Sequence, residues 1–243
     1  MMKTKTLLLT AILLSVFPLT AGKRCRTIHL AGDSLCAPYP ESAAPQTGWG
    51  QCIAAALGDP DIRVVNCAVG GESTKSFIDS GKWQKLIDGV RRKDLVLIQF
   101  GHNDEKTAEK RHTDPSTTYK DNLSRFIIET RAKGGIPVLL TSVSRRYFNA
   151  DGTLQRTHGD YPQAMRELAA ATGTPLIDME ELSYRWILEL GPEGTVPYFV
   201  LDKRNPEAMD NTHLTREGAE VIAGMIAGKL NELRIWKIKK HRK

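Results

Sequence analysis

The chain has 243 residues, 41% of them hydrophobic and 26% charged, with 34 Lys and Arg against 28 Asp and Glu. This length gives one large domain or two small ones. The excess of +6 is unevenly placed: Lys3 and Lys5 lie in the first segment, six basic residues and no acid lie in Arg234–Lys243, and the stretch between is slightly acidic. A basic groove for nucleic acid is therefore not expected. The basic tail reads as a solvated helix end or as a contact for an anionic polymer or envelope surface.

Met1–Lys5 is basic and Thr6–Ala21 is almost wholly apolar. This pattern predicts a signal peptide over residues 1–21, followed by a single domain over 22–243. The apolar run is shorter than the ~20 residues a spanning helix needs, and Pro18 interrupts it. The expected mature protein is soluble and exported, periplasmic or extracellular, with no stable membrane insertion. Cys25, Cys36, Cys52 and Cys67 contain no Cys-x-x-Cys pair, which argues against zinc or a redox motif. Cys36 and Cys67 follow strand ends expected to be neighbours, so that pair is slightly favoured for a disulfide; free buried thiols are the alternative.

Short apolar runs bounded by Gly, Asp or Pro predict strands at Arg26–Ala31, Ile62–Asn66, Leu95–Phe100, Pro137–Thr141 and Pro175–Ile177. None alternates, as suits a parallel sheet covered on both faces. Helical patterns fall at Trp49–Leu57, Tyr119–Lys133, Tyr161–Thr172, Glu180–Leu190 and Thr215–Leu230, with Asp160 and Thr215 placed to cap two of them. Pro38–Thr47, Glu105–Ser116, Arg145–Gly159 and Gly191–Met209 read as long loops. Alternating strands and helices predict an α/β doubly wound sheet. Right-handed crossovers then bring Ser34, Gly70-Gly71 and Gly101–Asp104 to one edge of it.

There is no Walker motif, no Gly-x-Gly-x-x-Gly, no His-Glu-x-x-His and no Gly-x-Ser-x-Gly. What remains is a serine constellation. Ser34 needs a neighbouring base to become a nucleophile, and His213 can supply it. Asp210 stands three residues earlier and can accept from the imidazole, fixing its tautomer. The backbone N–H groups of Ser34 and Gly71 and the side-chain amide of Asn103 are candidate oxyanion donors. Taken singly, these residues read more readily as a helix cap, a surface pair, a turn glycine and a turn asparagine. In this order, on one sheet edge, they predict a serine esterase. Asp33 is expected to support the turn, and His102 to be a packed neighbour rather than a second base.

Gly32-Asp33-Ser34, Gly71, Gly101-x-Asn103-Asp104 and Asp210-x-x-His213 resemble, in order and spacing, the blocks of the SGNH (GDSL-type) hydrolases. Gly48-Trp49-Gly50-Gln51, Phe100–Asp104, Ser142–Arg146, Thr157–Tyr161 and Asp210–His213 resemble the rhamnogalacturonan acetylesterase group within them. The resemblance implies a flavodoxin-like three-layer αβα sandwich with a five-stranded parallel sheet, no cofactor and no metal, and removal of acetyl groups from the pectic backbone. It implies Ser34 as nucleophile, His213 as base and Asp210 as its orienter, with Gly71 and Asn103 in the oxyanion hole. Cys36 departs from the small or apolar residue expected behind the nucleophile.

The expected partner is an acetylated polysaccharide or oligosaccharide. Arg145 and Arg146 follow the fourth strand and could grip a galacturonate carboxylate, or pair with loop acids. The alternatives are an SGNH esterase acting on another acetylated glycan or on lipid, or a non-catalytic sugar-binding protein. Polar loops carrying Arg111, His112, Arg145, Arg146, Lys203 and Arg204 weigh against lipid.

Overall fold

The structure is a computed structural model that describes residues 27–59, 62–108, 110–202 and 205–236, with only the backbone described at 202 and 205–209. The expected leader, Cys25, Arg26, Lys203, Arg204 and the tail beyond Trp236 lie outside the described residues. Among the described residues, no helix is long and apolar enough to cross a membrane.

Five parallel strands form the central sheet: β1 (Thr27–Gly32), β2 (Arg63–Asn66), β3 (Leu95–Gln99), β4 (Ile136–Leu140) and β5 (Leu176–Ile177), in the order β2-β1-β3-β4-β5. Alternate side chains of each strand feed two separate cores. Ile28, Leu30, Leu95, Leu97, Val138, Leu140 and Ile177 face one side. Ala31, Val96, Ile98 and Leu139 face the other. Burying one such Leu or Ile contributes roughly 1.5–3 kcal/mol before entropy is counted. Both faces are therefore apolar, which is why the strands read as unbroken hydrophobic runs.

The first face is covered by α1 (Ile53–Leu57), part of α6 (Met179–Gly194) and α7 (Arg216–Glu232). On α7 the stripe Ala219, Ile222, Ala223, Ile226, Ala227 and Leu230 recurs at helical spacing. Its alanines let the helix approach closely. The second face is covered by α2 (Thr74–Asp79), α3 (Lys82–Gly89), α4 (Thr118–Ala132) and α5 (Tyr161–Thr172). Trp83 stacks near Phe126 at 4.1 Å between ring centroids, and Phe126 meets Phe100 at 5.9 Å.

Several expectations need correction. Trp49–Leu57 is a 3₁₀ turn at Trp49–Gln51 followed by a short α-helix. Gly191–Met209 is not a loop. It holds the end of α6, a 3₁₀ turn at Val196–Tyr198, and most of an antiparallel pair, β6 (Phe199–Asp202) and β7 (Asn205–Leu214). Thr215 caps α7 by accepting from the Gly218 N–H at 3.3 Å, whereas the Asp160 side chain makes no cap bond. Cys36, Cys52 and Cys67 are free thiols. The favoured Cys36–Cys67 disulfide does not form because Cys36 belongs to one core and Cys67 packs against the other, across the sheet.

One close approach fixes the segment that follows β1. A Cβ on Gly48 would overlap the Ala37 carbonyl oxygen and lie 2.8 Å from the Ala37 nitrogen. Backbone cannot yield as a side-chain tip can. Gly48→Ala is expected to cost about 1–3 kcal/mol, lowering the melting temperature by several degrees. An unchanged thermal transition would show that the segment is not held against Ala37.

Candidate active site

β1 delivers Ser34 two residues past its end. The Leu35 N–H donates to Asp33 Oδ1 at 2.9 Å, and the Cys36 N–H donates to the Asp33 carbonyl at 3.3 Å. Asn66, the last residue of β2, donates its Nδ2 to the Cys36 carbonyl at 2.6 Å. Tyr39 donates its hydroxyl to the Ser34 carbonyl at 3.0 Å. Four bonds thus define the turn and leave Ser34 half-buried at the carboxyl edge of the sheet. Burial pushes the Cys36 thiol well above its usual range, so it packs as a neutral thiol and is no rival nucleophile.

The candidate base comes from a bulge. In the β6–β7 pair the register passes from Phe199↔Leu214 to Leu201↔Met209, so Asp210, Asn211, Thr212 and His213 together oppose Val200. Asp210 Oδ1 accepts the N–H groups of Thr212 at 2.9 Å and His213 at 3.0 Å, closing the bulge on itself. Asp210 Oδ2 lies 2.7 Å from His213 Nδ1. A carboxylate can only accept, so Nδ1 carries the proton and Nε2 presents its lone pair. Burial tends to raise the Asp210 carboxyl, but bonds from His213 and Thr212 outweigh it and bring it down to about 2. Asp210 is an anion at any working pH.

Two backbone bonds carry this bulge toward the serine turn. The Trp49 N–H donates to the Leu35 carbonyl, and the Thr47 N–H donates to the Leu214 carbonyl, each at 2.9 Å. The segment 47–49 therefore links the residue after Ser34 to the residue after His213. On the other flank the Arg146 N–H donates to the Asn211 carbonyl at 2.8 Å.

The three candidate oxyanion donors sit after β1, β2 and β3. Among the described residues, neither the Ser34 nor the Gly71 backbone N–H has an acceptor. Gly71 has φ of +83°, a conformation that favours glycine. Asn103 donates through Nδ2 to the Glu72 carbonyl at 2.9 Å, which ties it to the Gly71 turn and leaves the second amide hydrogen available. Its Oδ1 lies 3.4 Å from Arg111 Nη1.

Behind the serine lies a buried polar layer. Asp33 Oδ2 and His102 Nδ1 face each other at 3.6 Å, and neither has a hydrogen-bond partner. Burial raises Asp33 to about 6 against the Leu35 N–H and the charges of His158, His213 and Arg145. Burial also holds His102 well below the usual histidine range, reinforced by the charges of His158 and Arg145, so its ring is neutral. His102 meets His158 edge-on at 4.4 Å. His158 bridges the Val143 carbonyl at 2.9 Å and Glu105 at 3.2 Å.

Arg145 is buried, ion-paired with Glu105 and bonded to Thr157 Oγ1 at 3.1 Å. Burial works against the Glu105 anion, but His158 and Arg145 prevail and hold it at about 2. Arg146 donates to Thr195 Oγ1 at 2.7 Å and to the Pro192 carbonyl. Both guanidinium groups considered for substrate are thus occupied by protein acceptors.

The sequence places Asp104 in the Gly101–Asp104 block but assigns it no role. Asp104 receives the Thr74 N–H at 3.1 Å, the Thr74 hydroxyl at 2.5 Å and the Thr113 hydroxyl at 2.9 Å. It thereby locks the loops after β2 and β3 together. Sequence reasoning passed over Gln99, which accepts from Trp49 Nε1 at 2.7 Å and donates to the Thr141 carbonyl at 3.2 Å. A polar residue closing the apolar strand β3 was the available signal for Gln99.

Asp210→Asn is expected to keep the bulge but disturb the imidazole tautomer, lowering kcat on an acetyl ester by about four orders of magnitude. A loss under tenfold would remove Asp210 from the orienting role. Asp33 gives a second test, in stability. Its folded pKa lies above the ordinary 3.8, so the native state binds more protons than the unfolded chain between about pH 4 and 6, and stability falls as pH rises through that window. Asp33→Asn cannot ionise. Its stability relative to the unaltered chain is therefore expected to rise by roughly 2–3 kcal/mol between pH 4 and 8. A difference in melting temperature that stays constant with pH would contradict the raised pKa.

The model of the GDSL-like lipase/acylhydrolase family matches residues 30–221. Rhamnogalacturonan acetylesterase RhgT of Bacillus subtilis is 38% identical over 212 residues, covering 85% of this chain and 90% of that protein. The probable rhamnogalacturonan acetylesterase YesY of the same organism is 37% identical over 207 residues, covering 85% and 93%. Among solved structures, YxiM of B. subtilis superposes with a TM-score of 0.75 at 27% identity, over 87% of this chain and 58% of that one. An acetyl-xylooligosaccharide esterase of Geobacillus shares the fold, with a TM-score of 0.61 at 20% identity over 90% and 97%. This chain belongs to the GDSL-like lipase/acylhydrolase family and is a carboxylic ester hydrolase.

Proposed function

We propose that the chain is a carbohydrate acetylesterase that removes acetyl groups from the rhamnogalacturonan or pectin backbone through an acetyl-Ser34 intermediate. The observation that carries this reading is the linkage of the Asp210–His213 bulge to the Ser34 turn, beside two unpaired backbone donors. The relatives named rhamnogalacturonan acetylesterases support the choice of glycan. Half-exposed and exposed cations such as Lys106, Lys110 and Arg111 on the loop after β3 favour a polar substrate over a lipid. Export through the N-terminal leader belongs to the same reading, because such a polymer lies outside the cell.

In the acylation step Ser34 Oγ bonds to the acetyl carbon while its proton passes to His213 Nε2. The carbonyl oxygen becomes an oxyanion, held by the N–H groups of Ser34 and Gly71 and by the Asn103 amide. Asp210 stabilises the imidazolium that forms. The bond from carbon to the sugar oxygen then breaks, and His213 returns its proton to that oxygen. Water repeats the sequence, giving up a proton to His213 and releasing acetate and free Ser34.

Acetate release is measured across acetylated rhamnogalacturonan, homogalacturonan, xylan and chitin fragments. The highest kcat/KM is expected on rhamnogalacturonan, and Asn103→Ala is expected to lower kcat there by about a hundredfold to a thousandfold. Higher activity on xylan or chitin, or on long-chain esters, would overturn the choice of glycan.

A further inference from the structure

We infer that Arg111 is the residue that recognises a carboxylate on the glycan, which makes this a site for acetylated uronate-containing chains rather than neutral ones. The inference rests on the acetylesterase reading and names the chemistry by which that site selects its substrate.

The argument begins with what the other arginines of this edge are doing. The Arg145 fork is filled by Glu105 and Thr157, and its side chain is buried. Arg146 is held by Thr195 and Pro192. Arg156 pairs with Glu180 and with Glu181, the latter at 2.7 Å. Arg111 differs from all three. Among the described residues it has no carboxylate within ion-pair distance, and its one polar contact is the long 3.4 Å approach of Nη1 to Asn103 Oδ1. Its side chain is half-exposed.

Its position is specific. Nη1 lies 3.8 Å from the point where a Cβ on Gly71 would stand. The guanidinium is therefore next to both the Gly71 turn and Asn103, two of the three candidate oxyanion donors. Two described acids of these loops have other partners. Glu105 is engaged by Arg145 and His158, and Glu72 is paired with Lys82 at 2.8 Å. Lys106, Lys110 and His112 on the same loop add exposed basic groups. An arginine has five N–H donors in a planar fork that matches a carboxylate with two parallel bonds. Among the described residues only one of these donors meets a protein acceptor, so the fork is open. A sugar whose acetyl carbonyl occupies the donor site sets its ring, or that of its neighbour, within the sweep of a flexible arginine side chain. A uronate there presents the anion that the fork fits; xylose and N-acetylglucosamine present none.

The test is direct binding, read by calorimetry on the intact protein with a trimer of galacturonate and with the same trimer methyl-esterified at every carboxyl. The free acid is expected to bind the unaltered chain about ten- to a hundredfold more tightly than the methyl ester. Arg111→Gln is expected to remove that preference, weakening the acid by this factor and leaving the ester unchanged. Arg111→Lys is expected to restore part of it, and raised salt to erode it. Equal weakening of acid and ester in Arg111→Gln would show that the residue only positions Asn103. Undiminished preference for the acid, or no preference in the unaltered chain, would likewise overturn the inference. Binding does not require turnover, so these outcomes stand apart from the acetate-release panel, which tests the acetylesterase reading itself.

Discussion

The geometry of the candidate site depends on two backbone hydrogen bonds whose donors lie two residues apart, Trp49 N–H to the Leu35 carbonyl and Thr47 N–H to the Leu214 carbonyl. The serine turn belongs to the central sheet. The histidine belongs to a separate two-stranded pair. Neither element contains the other half of the site. The segment 47–49 joins them, and it is held from below as well. Gly48 lies against the Ala37 backbone, and Trp49 is buried with its indole N–H on Gln99. Shape and hydrogen bonding at one short turn thus transmit the order of the sheet to the position of the imidazole.

Around this clip the fold accepts polar groups where apolar ones would be more stable. Asp33, His102 and Asp104 are all buried beneath the reacting edge, and the first two leave atoms unpaired. An unpaired buried polar atom costs about 1–3 kcal/mol. The same groups confer definition. Asp33 shapes the turn that exposes Ser34, and Asp104 binds the Thr74 and Thr113 loops that carry Gly71 and Asn103. The doubly wound order β2-β1-β3 opens its crevice between β1 and β3, where loops can hold such groups without breaking a strand. The apolar cores on both faces supply the stability that this edge gives up.

Much of this was legible in the residues because the sheet is buried on both faces. Apolar runs such as Leu95–Phe100 mark their strands to within a residue. Gly and Asp punctuate their ends, and the candidate triad follows from those ends. The β6–β7 pair was not legible. Asn205–Leu214 is polar, contains Pro206 and has no alternation, because its middle is a bulge that exists to present Asp210 and His213. The α2 and α3 helices escaped notice because each is short, and α2 rests on its Ser73 cap rather than on a long apolar stripe. The partners of Arg145 were hidden for another reason. Glu105 lies forty positions away, and no local pattern reveals a long-range ion pair. The face occupied by each cysteine likewise depends on where the chain turns after β1 and β2, not on strand order alone.

The central claim is that the imidazole of the bulge activates the hydroxyl at the end of β1. Reaction with a fluorophosphonate, followed by peptide mass spectrometry, tests it most directly, since such a reagent phosphonylates a serine only where a base assists. The chain is expected to take up one phosphonyl group, on Ser34, and His213→Ala is expected to slow that uptake by about a thousandfold or more. Labelling on another residue, or equal rates with and without His213, would contradict the account.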